Sequence, residues 1–308
     1  MEVLKTALPY IISGISVGGQ YALIAIGYTM VYGILRLINF AHGDVFMVAG
    51  LMMVYFATWM PLYLAIPLMI VLTVLLGVLI ERVAYKPLRT APRMSVMISA
   101  IGVSYLIQNL ALYVTGGLNK NYPAIPWISD PVRLFGMETS RVTVITPFLT
   151  IALVIALVLL INHTKIGMAM RAVSVDFETA QLMGIKINNV ISATFIIGTF
   201  LAAIGSILFF TNFPGVVPTA GAMPGLKAFV AAVFGGIGSV PGAVVGAFII
   251  GICESVIKGL DTILMANGAI TEQVGFATFS DAFTFVLLII ILVFKPTGLF
   301  GEKTTDKV

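Results

Sequence analysis

Residues 226–257, "GLKAFVAAVFGGIGSVPGAVVGAFIIGICESV", decide the fold. The stretch is apolar from end to end and much longer than the roughly 20 residues that carry a helix across hydrocarbon. "GGIGSVPG" breaks it in the middle, so it reads as two half-length helices meeting at a Gly/Pro turn. Such a turn leaves backbone groups unbonded, which a bilayer tolerates only where the turn is buried in protein or faces a wet cavity.

On either side of it, runs apolar enough to cross a membrane lie near residues 8–35, 44–60, 62–80, 95–114, 143–162, 189–212 and 276–294. The prediction is an all-α, polytopic transmembrane bundle of about 8 membrane helices, including Gly/Pro-broken segments, in one domain over residues 1–308. Composition agrees. Of 308 residues, 59% are hydrophobic and 10% charged, against about 25% charged in a soluble domain. With 17 Lys plus Arg and 13 Asp plus Glu there is no polar skin to cover a soluble core, and membrane lipid takes its place. The net charge of +4 is spread through short polar breaks, which argues against a nucleic-acid partner. Cys253 is the only cysteine, so no internal disulfide or cysteine metal cluster is expected. "MEVLKTALPYIISG" flows into an apolar stretch too long for a signal peptide and is expected to stay as the first membrane segment.

The glycines have two readings. Gly14, Gly18 and Gly19 either separate a short first helix from the main span or let helices approach closely, and Gly238, Gly242 and Gly246 have the same spacing. "NFAHGD" at 39–44 and "GSVPGA" at 238–243 give each half a broken segment, a weak internal repeat of the kind that marks a transport pathway near the midplane. In the first of these, Asn39 and Asp44 are cap-type residues for helix ends, and His42 is placed to bond exposed carbonyls.

Loop charge sets the orientation. "ERVAYKPLRTAPR" at 81–93 holds Arg82, Lys86, Arg89 and Arg93 against Glu81 and is predicted to be cytoplasmic. Counting spans puts 115–142 outside, 163–188 inside, and the C-terminus in the cytoplasm, where Lys295, Lys303 and Lys307 agree. The polar loop 163–188 is predicted to hold a surface helix over about 175–183. Ser174 would be its N-cap, Asp176 and Glu178 would sit in the first turn, and Gly184 would end it. Asp176, Ala180 and Gly184 then share one narrow face that either a partner protein or the lipid headgroups could meet.

Several chemistries are missing. The chain has no Gly-xxxx-Gly-Lys-Ser/Thr loop for ATP, and its two histidines, His42 and His163, lie far apart without a metalloprotease pattern. No metal or cofactor in this chain is implied, and no catalytic pair is found for an intramembrane enzyme. Glu254 and Lys258 are spaced for a helix-end ion pair, while Gln108 and Asn109 are expected to bond between helices. A self-sufficient secondary carrier or channel remains a second reading at this level.

The blocks "YALIAIGYTMVYGILRLINFAHGDVFMVAG", "ERVAYKPLR", "ISAIGVSYLIQN", "GMAMRAVSVDFETAQLMGI", "GLKAFVAAVFGGIGSVPGAVVGAFIIGICES" and "FKPTGLFG" resemble, in the same order, those of LivH-type permeases. These are membrane subunits of bacterial ABC importers for branched-chain amino acids. The resemblance implies a multi-pass protein of the bacterial plasma (inner) membrane, not itself an enzyme. It implies a LivM-type second permease, two cytoplasmic ABC ATPase subunits that bind the ATP, and an extracytoplasmic substrate-binding protein. It also implies that 163–188 is the loop coupling to the ATPase, with Arg171, Ala172, Asp176, Ala180 and Gly184 carrying the pattern. Asn39, His42, Gly43 and Asp44, with Gly236, Gly238, Pro241 and Gly242, would then line the route of a zwitterionic amino acid or simply stabilise helix breaks. Permeases of this broad kind also serve urea, short amides and other amino acids, so leucine, isoleucine and valine rest on the resemblance alone.

Overall fold

A computed structural model describes residues 2–301 apart from 90, 135–136, 267 and 271, so Lys303 and Lys307 lie outside the described residues. In chain order the helices begin with α1 (Glu2–Leu35), α2 (His42–Trp59), α3 (Leu62–Ile80) and α4 (Arg93–Thr115). Between α3 and α4 a π-helical turn spans Glu81–Tyr85. On one side of the bundle follow β1 (Lys120–Asn121), the single turn α5 (Pro126–Ser129) and the hairpin β2 (Pro131–Leu134) with β3 (Met137–Ser140). Next come α6 (Arg141–His163), the short α7 (Lys165–Val175) and α8 (Phe177–Leu182), α9 (Ile187–Asn212), and β4 (Gly215–Val216), which pairs with β1. The chain closes with α10 (Ala222–Gly235), α11 (Val240–Lys258), α12 (Leu260–Ala266) and α13 (Ser280–Phe294).

Among the described residues, seven helical segments are long and apolar enough to cross a membrane: α1, α3 with the turns that follow it to Leu88, α4, α6, α9, α11, and α13 with the turn before it from Phe276. The predicted 44–60 span is α2, whose polar first turn holds His42 and Asp44. The broken pair is α10, of 14 residues, and α11, of 19, so one half is short and the other crosses. Gly236 and Gly238 make the turn with φ of 107° and 101°, a region costly for any residue with a Cβ. Pro241 sits in the first turn of α11, and Ser239 caps it by accepting from the Gly242 N–H.

α1 is the axis of the bundle. Residues Ala22 to Ile26 are fully buried because α6, α9, α10 and α11 surround them, matching a sequence that is apolar all round. The helix is continuous, so the short first helix is not formed. Gly14 and Gly18 serve packing instead: a Cβ on either would lie 2.7 Å from the Ile252 or Phe248 Cα of α11. α1 ends where Arg36 takes a left-handed φ of 54°, its guanidinium donating to the Ser174 carbonyl at 3.3 Å.

These bonds sort the loops by side. Arg36 meets Ser174, Arg89 donates to Asn188 Oδ1, and Gly33 faces Gly238, so the loops 36–41, 81–92, 164–186 and 236–239 share one end. Leu299 and Phe300 donate to the Phe234 and Gly235 carbonyls, which brings the C-terminal segment to the same end. The β1–β4 pair lies at the other end, as does Tyr10, whose hydroxyl bonds Thr262. On α3, Leu64, Leu68, Val71, Leu75 and Leu79 form an exposed aliphatic stripe at helical spacing, a surface suited to lipid tails.

Candidate functional site

Polar residues after α1 are explained by a loop that turns back. The His42 ring packs against Gly27, where a Cβ would overlap it. Gly27 is two helical turns, about 12 Å, before the end of α1. Residues 36–41 therefore climb back along α1, and α2 starts inside the bundle. From the opposite end, residues 213–221 descend past β4 and start α10 at the same level, where Gly221 and Gly225 lie against Gly43. α2 runs outward from this meeting point to Tyr55, whose hydroxyl donates to the Val114 carbonyl, and α10 runs the other way to Gly235. Two helix N-termini thus face each other inside the bundle, each the positive end of its helix dipole, with the His42, Asp44, Ala222 and Gly225 N–H groups bonded to the Asn39, Ala41, Thr219 and Gly221 carbonyls. Ala222, Met223 and Leu226 on the first turn of α10 are exposed, so this positive end is open on one side.

The side chains around it are held by named partners. Asp44, 2% exposed, accepts from Ser104 Oγ at 2.5 Å and Gln108 Nε2 at 3.0 Å, so Gln108 does bond between helices, whereas Asn109 turns back to its own Tyr105 carbonyl. Its negative charge in the first turn of α2 offsets the helix dipole there. Asn39 Oδ1 accepts from the buried Tyr85 hydroxyl at 2.9 Å. Neither Asn39 nor Asp44 caps α2, which lacks a side-chain cap. The His42 ring bonds the Ile24 backbone carbonyl of α1, as expected of it, and Tyr28 meets the ring edge-on at 5.1 Å. Tyr85→Phe should leave the Asn39 oxygen buried and unpaired, lowering stability by about 1–3 kcal/mol. Thermal unfolding of the purified variant beside the parent measures it, and equal midpoints would contradict the bond's importance.

The 39–44 and 236–242 breaks are not brought together as a pair. Gly43 packs on Gly221 and Gly225, while Gly236 and Gly242 pack on residues 300–301 and Gly235. The sequence missed Gly221 and Gly225 because nothing in "GAMPGLK" marks it as the start of a half-helix inside the bundle.

A buried ionic cluster secures α10. Lys227 Nζ, its side chain 7% exposed, lies 2.7 Å from Glu254 Oε1 and 2.6 Å from Asp281 Oδ1. Glu254, 1% exposed, also pairs with Lys258 at 2.5 Å and accepts from the Tyr21 hydroxyl at 3.0 Å. The predicted Glu254–Lys258 pair is present, but as part of a balanced two-plus-two arrangement joining α1, α10, α11 and α13. A lone lysine in an apolar run was the available signal.

The loop at 163–188 folds as two short helices rather than one. Asp176, not Ser174, is the N-cap of α8: its Oδ1 accepts from the Glu178 and Thr179 N–H groups, and Oδ2 from the Thr179 hydroxyl. Ser174 lies in the last turn of α7 and donates to the Arg171 carbonyl. Gly184, with φ of 84°, ends the segment as expected. Ala180 is 4% exposed and points inward, so it shares no free face with Asp176 and Gly184. The open surface is apolar instead: Val175, Phe177, Leu182 and Met183 are exposed beside Arg171, Ala172 and Asp176.

A family model described as branched-chain amino acid transport system, permease component, matches residues 10–292. The chain is 37% identical to the high-affinity branched-chain amino acid transport system permease protein BraD of Pseudomonas aeruginosa, covering 98% of both chains. It is 36% identical to LivH of Escherichia coli K12, over 98% of this chain and 97% of that one. Similarity extends to the ribose import permease protein RbsC of Haemophilus influenzae, 26% identical over 78% of this chain and 74% of that relative.

Proposed function

Because the chain belongs to the branched-chain amino acid permease family, we propose that it is the membrane-spanning subunit of an ABC importer carrying leucine, isoleucine and valine. A substrate-binding protein delivers the cargo from outside, separate ATPase subunits bind and hydrolyse the ATP, and a LivM-type permease completes the channel. The chain holds no cofactor and performs no catalysis of its own.

The observation that carries this reading is the meeting of the α2 and α10 N-termini inside the bundle. The positive end of α10, which has no acid in its first turn, suits a carboxylate, and the apolar surroundings of Met223 and Leu226 suit a branched aliphatic side chain. Asn39, His42, Gly43 and Asp44 support the α2 end of this site, His42 by packing its ring against Gly27. Gly236, Gly238, Pro241 and Gly242 act at one remove, by holding the far end of α10. The end bearing 36–41, 81–92 and 164–186 faces the cytoplasm, in keeping with Arg82, Lys86, Arg89 and Lys165 there, and the C-terminal segment lies on that side. α7 and α8 form the coupling loop, whose exposed Val175, Phe177, Leu182 and Met183 are suited to a protein partner.

Proteoliposomes carrying the full importer test both parts. Labelled leucine should enter only with ATP and binding protein. Asp176→Arg removes the α8 cap and places a cation at its positive end, which together cost about 1–3 kcal/mol of local helix stability. Uptake should drop about ten-fold or more while the permease still inserts. Uptake by this chain alone without ATP would overturn the reading, and an unchanged rate in the variant would remove the coupling loop from it.

A further inference from the structure

The geometry points to a binding site for the phosphate headgroup of an anionic lipid between the π-helical turn after α3 and the start of α9. A cavity of about 360 Å³ lies there, lined by Glu81, Arg82, Lys86, Asn188, Asn189 and Ser192. Its one acid is already satisfied. Glu81 pairs with Arg89 and accepts from the Ser192 hydroxyl at 3.0 Å, and Arg89 in turn donates to Asn188 Oδ1. Arg82 and Lys86 are exposed, and no hydrogen bond or ion pair ties either of them among the described residues. The cavity therefore carries two uncompensated cations, with the Asn188 and Asn189 amides as neutral donors on the opposite wall.

Its position selects the occupant. The exposed aliphatic stripe of α3 continues through Leu75 and Leu79 directly to Arg82 and, one turn further, Lys86. A lipid whose tails lie along that stripe brings its phosphate to the level of these two residues. Basic pockets between membrane helices on the cytoplasmic side are suited to such headgroups. The π turn at Glu81–Tyr85 widens the helix at this point, which opens the gap towards α9. A lipid bound here would brace α9 against α3 next to the loop that precedes it.

The purified importer in nanodiscs, probed with spin-labelled phosphatidylglycerol against spin-labelled phosphatidylcholine, tests the site. The parent should prefer the anionic label, and Arg82→Ala/Lys86→Ala should reduce the preference by roughly five-fold per cation. Arg82→Lys/Lys86→Arg should retain it. An unchanged preference in the alanine variant would overturn the proposal. So would displacement of the label by excess inorganic phosphate, which would assign the cavity to a free anion. Loss of the ATPase subunits from the alanine variant with lipid preference intact would assign the surface to the ATPase instead and equally overturn it.

Discussion

Glu254→Ala is expected to destabilise the folded permease by about 3–5 kcal/mol, the cost of stranding a buried charge. Lys258 is half-exposed and can reach water, but Lys227 is enclosed and keeps only Asp281. Asp281 is itself partly hydrated, so it compensates poorly. The damage should fall on α10, because Lys227 is the side chain that ties this half-helix to α11 and α13. Thermal unfolding in detergent should show a clearly lower midpoint. The double variant Glu254→Met/Lys227→Met removes both buried charges and should recover much of the loss. A Glu254→Ala protein that melts with the parent would show that the cluster does not hold the fold.

The second large effect is at the meeting of the two half-helices. A Cβ at residue 43 would lie 2.7 Å from the Gly221 carbonyl oxygen and 3.0 Å from the Gly225 Cα. Both are backbone atoms and cannot swing aside. Gly43→Val should therefore cost about 1–3 kcal/mol in overpacking and part the two N-termini. Leucine uptake should fall at least about ten-fold, since a shift of that order displaces the positive end of α10 from the proposed site. Gly33→Ala is the control: its neighbours stand 3.9 Å and more away, and uptake should be unchanged. Normal uptake by Gly43→Val would exclude the meeting point from the pathway.

How much could be read from residues alone depended on whether a residue type permits one structure or several. The 236–242 turn was legible because Gly-Gly-Ile-Gly-Ser-Val-Pro-Gly admits few backbones in lipid. The long apolar spans were legible because length and composition decide them. Gly14 and Gly18 were ambiguous, since glycine suits both a break and a close contact, and only Gly251 and Ile252, more than 230 positions away, settle which. Ser174 and Asp176 are both good caps two residues apart, and the choice fell to Asp176 because α7 continues to Val175. The return of residues 36–41 along α1 was invisible for a related reason. Its polarity was evident, but the small surfaces of Gly27 and Gly198 that admit His42 belong to other helices.

The bonds from Leu299 and Phe300 to the last carbonyls of α10 set a schedule for biogenesis. A 14-residue half-helix gains too little from lipid to be left there by the insertion machinery as a span. It acquires its lysine partner Glu254 only after α11 emerges and its end-cap only after residue 300. At about 5–20 residues per second, that is several seconds after α10 itself is made. During this interval α1 and α2 are already in the membrane with the slot for α10 unfilled. Quality-control proteases therefore have a defined window, and a ribosome that stalls late in translation leaves a chain with its earlier spans inserted and α10 undocked.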